Sequence, residues 1–117
     1  MKSINTQAEF QSAINAEKAI IFIAYEWSGQ AIISEQVVNK WISEWHLWHK
    51  DLYVPIFKIE PEEYPFILEW VRESVNERNG NGSLVWIKNG AIVDYEVYVA
   101  KAGIEDVARR TETIFRN

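Results

Sequence analysis

The run Ala19-Ile20-Ile21-Phe22-Ile23-Ala24-Tyr25 is apolar and uncharged. Such a run reads as a strand buried on both faces, as in a parallel sheet. The turn Glu26-Trp27-Ser28-Gly29-Gln30-Ala31 follows, and then a helical pattern from Ala31 or Ser34 to Lys50. On that helix Ile33, Val37, Val38, Trp41, Ile42, Trp45 and Trp48 fall on one side and cover close to half the circumference. Packing on a sheet covers much of that arc, and the excess meets another helix or stays exposed.

The remaining elements follow from the same patterning. Ser3-Ile4-Asn5 reads as a short first strand. Thr6-Gln7-Ala8-Glu9 fits a capping box and starts a helix to about Asn15, with Phe10, Ala13 and Ile14 on one face. Leu52 to Ile59 reads as a strand, in which Pro55 marks an edge or an irregular start because proline cannot donate to a ladder. Pro61, with Glu62 and Glu63 in the first turn, predicts a helix carrying Phe66, Ile67, Trp70, Val71 and Val75 to about Glu77. Arg78 to Gly82 is a loop. Ser83 to Ile87 and Ala91 to Val99 are predicted strands, joined by Asn89-Gly90, a hairpin signal because both positions need positive φ. After Gly103, Ile104, Val107, Ala108, Thr111, Ile114 and Phe115 recur at helical spacing. Glu105 with Arg109 and Glu112 with Arg116 form i,i+4 pairs. The order β-α-β-α-β-α-β-β-α predicts one α/β domain over 1–117, a mixed central sheet with helices on both faces.

Composition narrows the function classes. The 117 residues suit one domain with its own core. A formal charge of -5, with no lysine or arginine cluster, argues against nucleic acid or an anionic membrane as partner. There is no cysteine, so thiolate catalysis, disulfides and Cys-type zinc sites are all absent. Met1 to Phe10 lacks the basic start and apolar stretch of a signal peptide. No apolar run approaches ~20 residues, so no membrane span is expected and the cytoplasm is the expected compartment. Nothing in the sequence calls for a cofactor.

The segment Trp27-Ser28-Gly29-Gln30-Ala31 between strand and helix resembles the active-site segment of thioredoxin, where the pattern is Trp-Cys-Gly-Pro-Cys. Ser28 falls on the first cysteine, Gln30 on the proline and Ala31 on the second cysteine. Ser83-Leu84-Val85-Trp86-Ile87-Lys88-Asn89-Gly90 resembles the family's later strand and Lys-Asn-Gly turn. The resemblance implies a thioredoxin-like fold over most of the chain, without the family's chemistry. Disulfide exchange needs a thiolate attacking sulfur. A serine hydroxyl cannot replace it, and Ala31 cannot resolve a mixed disulfide. In the same alignment the family's buried aspartate falls on Phe22 and its cis-proline on Gly82. The implied protein is therefore a redox-inactive member. Trp27 keeps the family's tryptophan, Glu60 falls on the acid near that indole, and Tyr98 replaces a small glycine beside the substrate groove.

Three functions are expected to compete. One is a protein- or peptide-binding module, adaptor or chaperone-like, that uses the former active-site face: Trp27, Ser28, Gly29, Gln30, Glu60, Gly82, Ser83 and Tyr98. Another is an enzyme in which Ser28, at a helix N-terminus, activates a bound thiol such as glutathione. Against it, the chain has no second helical domain and no cis-proline. The third is a homodimer or assembly subunit built on the tryptophan-rich second helix. Ser28 also reads as a helix cap. His46 and His49, spaced i,i+3, could share a metal, yet without an evident third ligand they read as helix-end residues. Glu60, Glu62 and Glu63 read as a strand end and a helix start. Six tryptophans could stack bases, but base-stacking proteins also need a positive track.

Overall fold

The structure, a computed structural model, describes residues 1–49, 51–77 and 79–116. The central apolar run forms β2 (Lys18–Ile23), and Ala19 to Ile23 have no exposed surface. The other strands are β1 (Lys2–Ser3), β3 (Ile56–Ile59), β4 (Ser83–Lys88) and β5 (Ala91–Glu96), giving the sheet order β1-β3-β2-β4-β5. β3 runs parallel to both β1 and β2, while β4 runs antiparallel to β2 and β5. Among the described residues the helices are α1 (Gln7–Ile14), α2 (Gly29–Trp48), α3 (Pro65–Trp70), α4 (Val99–Ala102) and α5 (Ile104–Arg116). One π-helical turn, Val71–Val75, extends α3 and ends at Asn76 in the left-handed region, φ 63°.

Strand alternation assigns the two layers. Ile20, Phe22, Leu84 and Trp86 face Val38, Trp41 and Trp45 of α2 with Val107 and Phe115 of α5. Ile21, Ile23, Val85 and Ile87 face Phe10 and Ala13 of α1 with Ile67 of α3. Trp86 stays buried because its indole N–H donates to Thr111 Oγ1 at 3.0 Å. Among the described residues no helix is long and apolar enough to cross a membrane.

Several boundaries move from the sequence reading, each for a local reason. β3 begins at Ile56 and not Leu52. It lies inside the sheet, so Pro55 marks an irregular start rather than an edge. The Pro55 carbonyl still accepts from the Ile20 N–H, 3.0 Å. α3 begins at Pro65, with Tyr64 as N-cap, because a proline in the first turn loses no helical bond. Pro61 to Glu63 instead form a turn, in which the Glu63 N–H meets the Glu60 carbonyl at 3.0 Å. Glu62 and Glu63 are thereby released from the helix start. β5 ends at Glu96, short of Val99, and its Glu96 carboxylate accepts the Tyr98 N–H at 2.9 Å ahead of α4.

Side-chain pairings shift as well. Arg109 pairs with Asp106 at 2.5 Å rather than with Glu105, whereas Glu112 does meet Arg116. Thr6 caps α1, accepting from the Glu9 N–H at 3.1 Å. Glu9 reaches back to the Asn5 N–H, 3.2 Å, one residue beyond a regular box. Asn89 and Gly90 turn the hairpin at φ 52° and 75°. On α2 the buried line runs through Ala31, Ser34, Val38, Trp41 and Trp45, which leaves Ile33 exposed. Ser34 can sit in that line because its hydroxyl donates to the Asn81 carbonyl (2.9 Å) and accepts from the Ala100 N–H (3.1 Å).

Truncating Ile21 to Ala removes packing from the α1/α3 layer and leaves a cavity. Urea titration should show a loss of roughly 2–5 kcal/mol. A loss under ~1 kcal/mol would mean that β2 is not the buried centre.

Candidate functional site

β2 and β3 are parallel and in register from Ile20↔Ile56 to Ile23↔Ile59, so both deliver their C-terminal ends to one edge of the sheet. Ala24 to Ser28 leave the first and Glu60 to Tyr64 the second. The Ala24 N–H still bonds the Ile59 carbonyl at 2.9 Å, which keeps the two exits side by side.

Trp27 is 66% exposed, one of the two most exposed large apolar residues described. It is nevertheless held at three points. Its indole N–H donates to the Glu62 carboxylate. Its ring lies 5.5 Å from that of Tyr25, tilted by 51°. Its far edge rests on Gly80, where a Cβ would stand 2.8 Å from Cη2. Gly80 has φ 67°, so both its conformation and its closeness to the indole require glycine. Gly82 is a second contact point of this loop. At φ 88°, its Cβ would fall 2.4 Å from Ser34 Cβ and 3.0 Å from Ala31 Cα. The loop therefore lies directly on α2.

The turn itself is quiet. Ser28 is buried, and its Oγ accepts the Ala31 N–H at 3.2 Å as the N-cap of α2. Its hydroxyl meets Gln30 Oε1 at 3.3 Å, and no base touches it among the described residues. Gly29 has open space around it, and Gln30 is exposed.

Beneath the loop lies a carboxylate that sequence reading passed over. Glu77 is buried. Its Oε1 accepts the N–H of Asn79 at 2.5 Å and of Gly80 at 3.4 Å. Its Oε2 accepts the hydroxyls of Ser83 and Tyr95. Burial first, and the bond to Glu77 second, push the Tyr95 phenol above its ordinary range. Burial, followed by the charges of Glu77 and Glu62, pushes the Tyr25 phenol up to about 12. Ser83 is thus turned inward onto Glu77 rather than outward. A signal for Glu77 was present in the chain: an acid at a helix C-terminus opposes the dipole and needs another reason to be there.

Glu60 lies at the end of β3, half-buried. Burial first, then the nearby charges of Glu63, Glu26 and Glu35, push its carboxyl upward against the pull of the Lys58 ammonium. Lys58 lies 4.0 Å from Glu60 and 3.0 Å from Glu35. Carboxylate oxygens of Glu26, Glu60 and Glu63 all lie within 4.8 Å of one another.

Three hollows share walls here. The largest, about 530 Å³, is lined by Tyr25, Glu26, Trp27, Glu60, Glu62 and Glu63. A second of about 400 Å³ runs along α2 past Ile32, Glu35 and Lys58. A third, about 300 Å³, lies on the other side of Trp27, against Arg72, Glu77 and Gly80. Of the residues singled out from sequence, Trp27 and Glu60 share a hollow. Ser28, Gly82 and Ser83 form its buried support. Tyr98, half-buried at the start of α4, lines none of the three. Tyr25, Glu62, Glu77 and Gly80 were missed.

Elsewhere, His49 stacks on Trp45 at 3.8 Å and pairs with Glu112 at 3.2 Å. The side chains of His46 and Trp48 lie outside the described residues. Trp41 and Trp45 are consumed by the core of the molecule itself, at 1% and 3% exposure. A dimer seam on them would require opening that core.

Two measurements follow from this geometry. Glu77→Ala takes the acceptor from the Tyr95 hydroxyl and from two N–H groups and leaves the Ser83 hydroxyl the Val97 carbonyl at 3.1 Å, so urea titration should show a loss of roughly 2–4 kcal/mol. A loss below ~1 kcal/mol would mean the network is not structural. For Glu60 the folded pKa lies above the unfolded one, so ionisation disfavours the native state at neutral pH. That penalty vanishes as pH falls below the unfolded carboxylate value. Glu60→Gln should stabilise the protein near pH 7 and have no such effect at about pH 3. Stabilisation of equal size at both pH values would contradict the assignment.

Neither a protein-family model nor a curated protein sequence matches the chain. Solved structures do. Thioredoxin from Trypanosoma brucei brucei superposes with a TM-score of 0.73 at 9% identity, covering 98% of this chain and 90% of its own. Mitochondrial thioredoxin 3 from Saccharomyces cerevisiae gives 0.71 at 15% identity, covering 97% and 94%. Plasmodium falciparum thioredoxin gives 0.67 at 21% identity, covering 94% and 98%. The chain has the thioredoxin fold, and it contains no cysteine with which to perform thiol–disulfide exchange.

Proposed function

We propose that this is a redox-inactive thioredoxin-fold module that binds another protein or peptide through the face around Trp27. One observation carries the reading. Trp27 is two-thirds exposed and yet fixed by Tyr25, Glu62 and Gly80. A pre-set aromatic suits an interface anchor, since it buries a large area with little further loss of freedom. The surface comprises Trp27, Gly29, Gln30 and Glu60 with Tyr25, Glu26, Glu62 and Glu63. Ser28, Gly82 and Ser83 support it from below.

The thiol-activating alternative gains nothing from the geometry. The Ser28 hydroxyl is buried and occupied by helix capping. The dimer alternative loses Trp41 and Trp45 to the core.

Selection of binding peptides from a displayed library, followed by calorimetry, tests the proposal. Trp27→Ala should weaken a selected peptide by at least ~2 kcal/mol while lowering stability by under ~1 kcal/mol. Unchanged affinity together with a large stability loss would assign Trp27 a structural role instead. Dithiol-driven insulin reduction should proceed at the uncatalysed rate with the protein present.

A further inference from the structure

We infer that the partner presents a cationic side chain beside an apolar one, seated where β2, β3 and α2 meet. The inference rests on the reading of the Trp27 face as a binding surface and specifies its partner's chemistry. The two hollows on the Glu60 side of Trp27 are walled by five carboxylates, Glu26, Glu35, Glu60, Glu62 and Glu63, against one ammonium, Lys58. That is a local excess of four negative charges in a chain whose net charge is -5. The rest of the sequence is nearly balanced, with twelve acids against eleven bases. The acidity of this protein is therefore a property of one face.

Two features separate this face from an ordinary solvated acidic patch. One ammonium, Lys58, serves Glu35 at 3.0 Å and Glu60 at 4.0 Å, which leaves the acids in excess, and Glu26, Glu60 and Glu63 converge within 4.8 Å. A guanidinium or ammonium placed among them relieves that repulsion. The cluster also lies between exposed apolar residues. Trp27 borders one hollow and Ile32, 49% exposed, borders the other, while Glu26 and Glu60 line both. An apolar side chain next to the cation can cover either residue. Charge complementarity and apolar cover thus select a basic, partly apolar peptide segment.

The probes are three short fluorescein-labelled peptides read by anisotropy: alternating Arg and Leu, alternating Gln and Leu, and alternating Arg and Ser. The wild type should bind the Arg/Leu peptide about tenfold or more tighter than either of the others. The triple variant Glu26→Gln, Glu60→Gln, Glu63→Gln should lose about tenfold or more for the Arg/Leu peptide. A control triple at exposed sites elsewhere, Glu69→Gln, Glu73→Gln, Glu105→Gln, removes the same charge and should lose less than about threefold. Equal losses in the two triples would reduce the effect to bulk charge and overturn the inference. A loss with Trp27→Ala but not with the Glu26/Glu60/Glu63 triple would also overturn it, while leaving the Trp27 face as a binding surface. A loss with neither would remove both readings. Millimolar calcium that shifts the NMR signals of Glu60 and displaces the peptide would identify the cluster as a cation site instead, which likewise overturns the proposal.

Discussion

The structure depends on β2 being covered on both faces and paired on both edges. Ala19 to Ile23 have no solvent contact, and their backbone groups bond β3 on one side and β4 on the other. A strand in that position cannot slip by one residue without turning Ile20 and Phe22 into the wrong layer. Its register fixes where Ala24 emerges, and so where Tyr25, Glu26 and Trp27 stand. The site inherits its rigidity from the core instead of generating it locally.

From that edge the arrangement builds outward through contacts that each need a particular residue. Gly82 lies against Ala31 and Ser34, Gly80 lies under the Trp27 indole, and Glu77 holds the loop between them by accepting from Asn79, Gly80, Ser83 and Tyr95. Burying a carboxylate is unfavourable unless its oxygens are satisfied, and here both are. The fold's relatives by shape are thioredoxins. In this chain the turn after β2 is a helix cap, and its neighbouring tryptophan is displayed on a built platform.

Much of this was legible in the sequence because it rests on periodicity and local chemistry. The apolar β2 run, the Asn89-Gly90 hairpin, the Thr6 cap and the α5 face all follow from short-range rules. The departures came from contacts made across the fold. Pro61 and Pro65 are both plausible helix starts, and only the turn that Glu60 makes with Glu63 selects Pro65. Ile33 fits the apolar arc of α2, yet Ser34 occupies the buried line because Asn81 and Ala100 satisfy its hydroxyl. Ser83 belongs to the expected binding face by sequence, yet it is buried with its hydroxyl turned onto Glu77. Glu62 rather than Glu60 meets the indole, a choice set by where the Pro61 turn ends. The acidic face was invisible for the same reason: Glu26, Glu35 and the Glu60-to-Glu63 stretch are dispersed in sequence and meet only at the strand ends.

Trp27 is exposed and yet held by Tyr25, Glu62 and Gly80. Selective ¹⁵N labelling of tryptophan, with the Trp27 indole assigned through Trp27→Phe, measures both properties in the intact protein without disturbing the core tryptophans. The indole order parameter should lie near the rigid-backbone value of ~0.85, together with strong broadening by a neutral paramagnetic probe in solution. An order parameter below ~0.6, or an indole signal untouched by the probe, would contradict that arrangement.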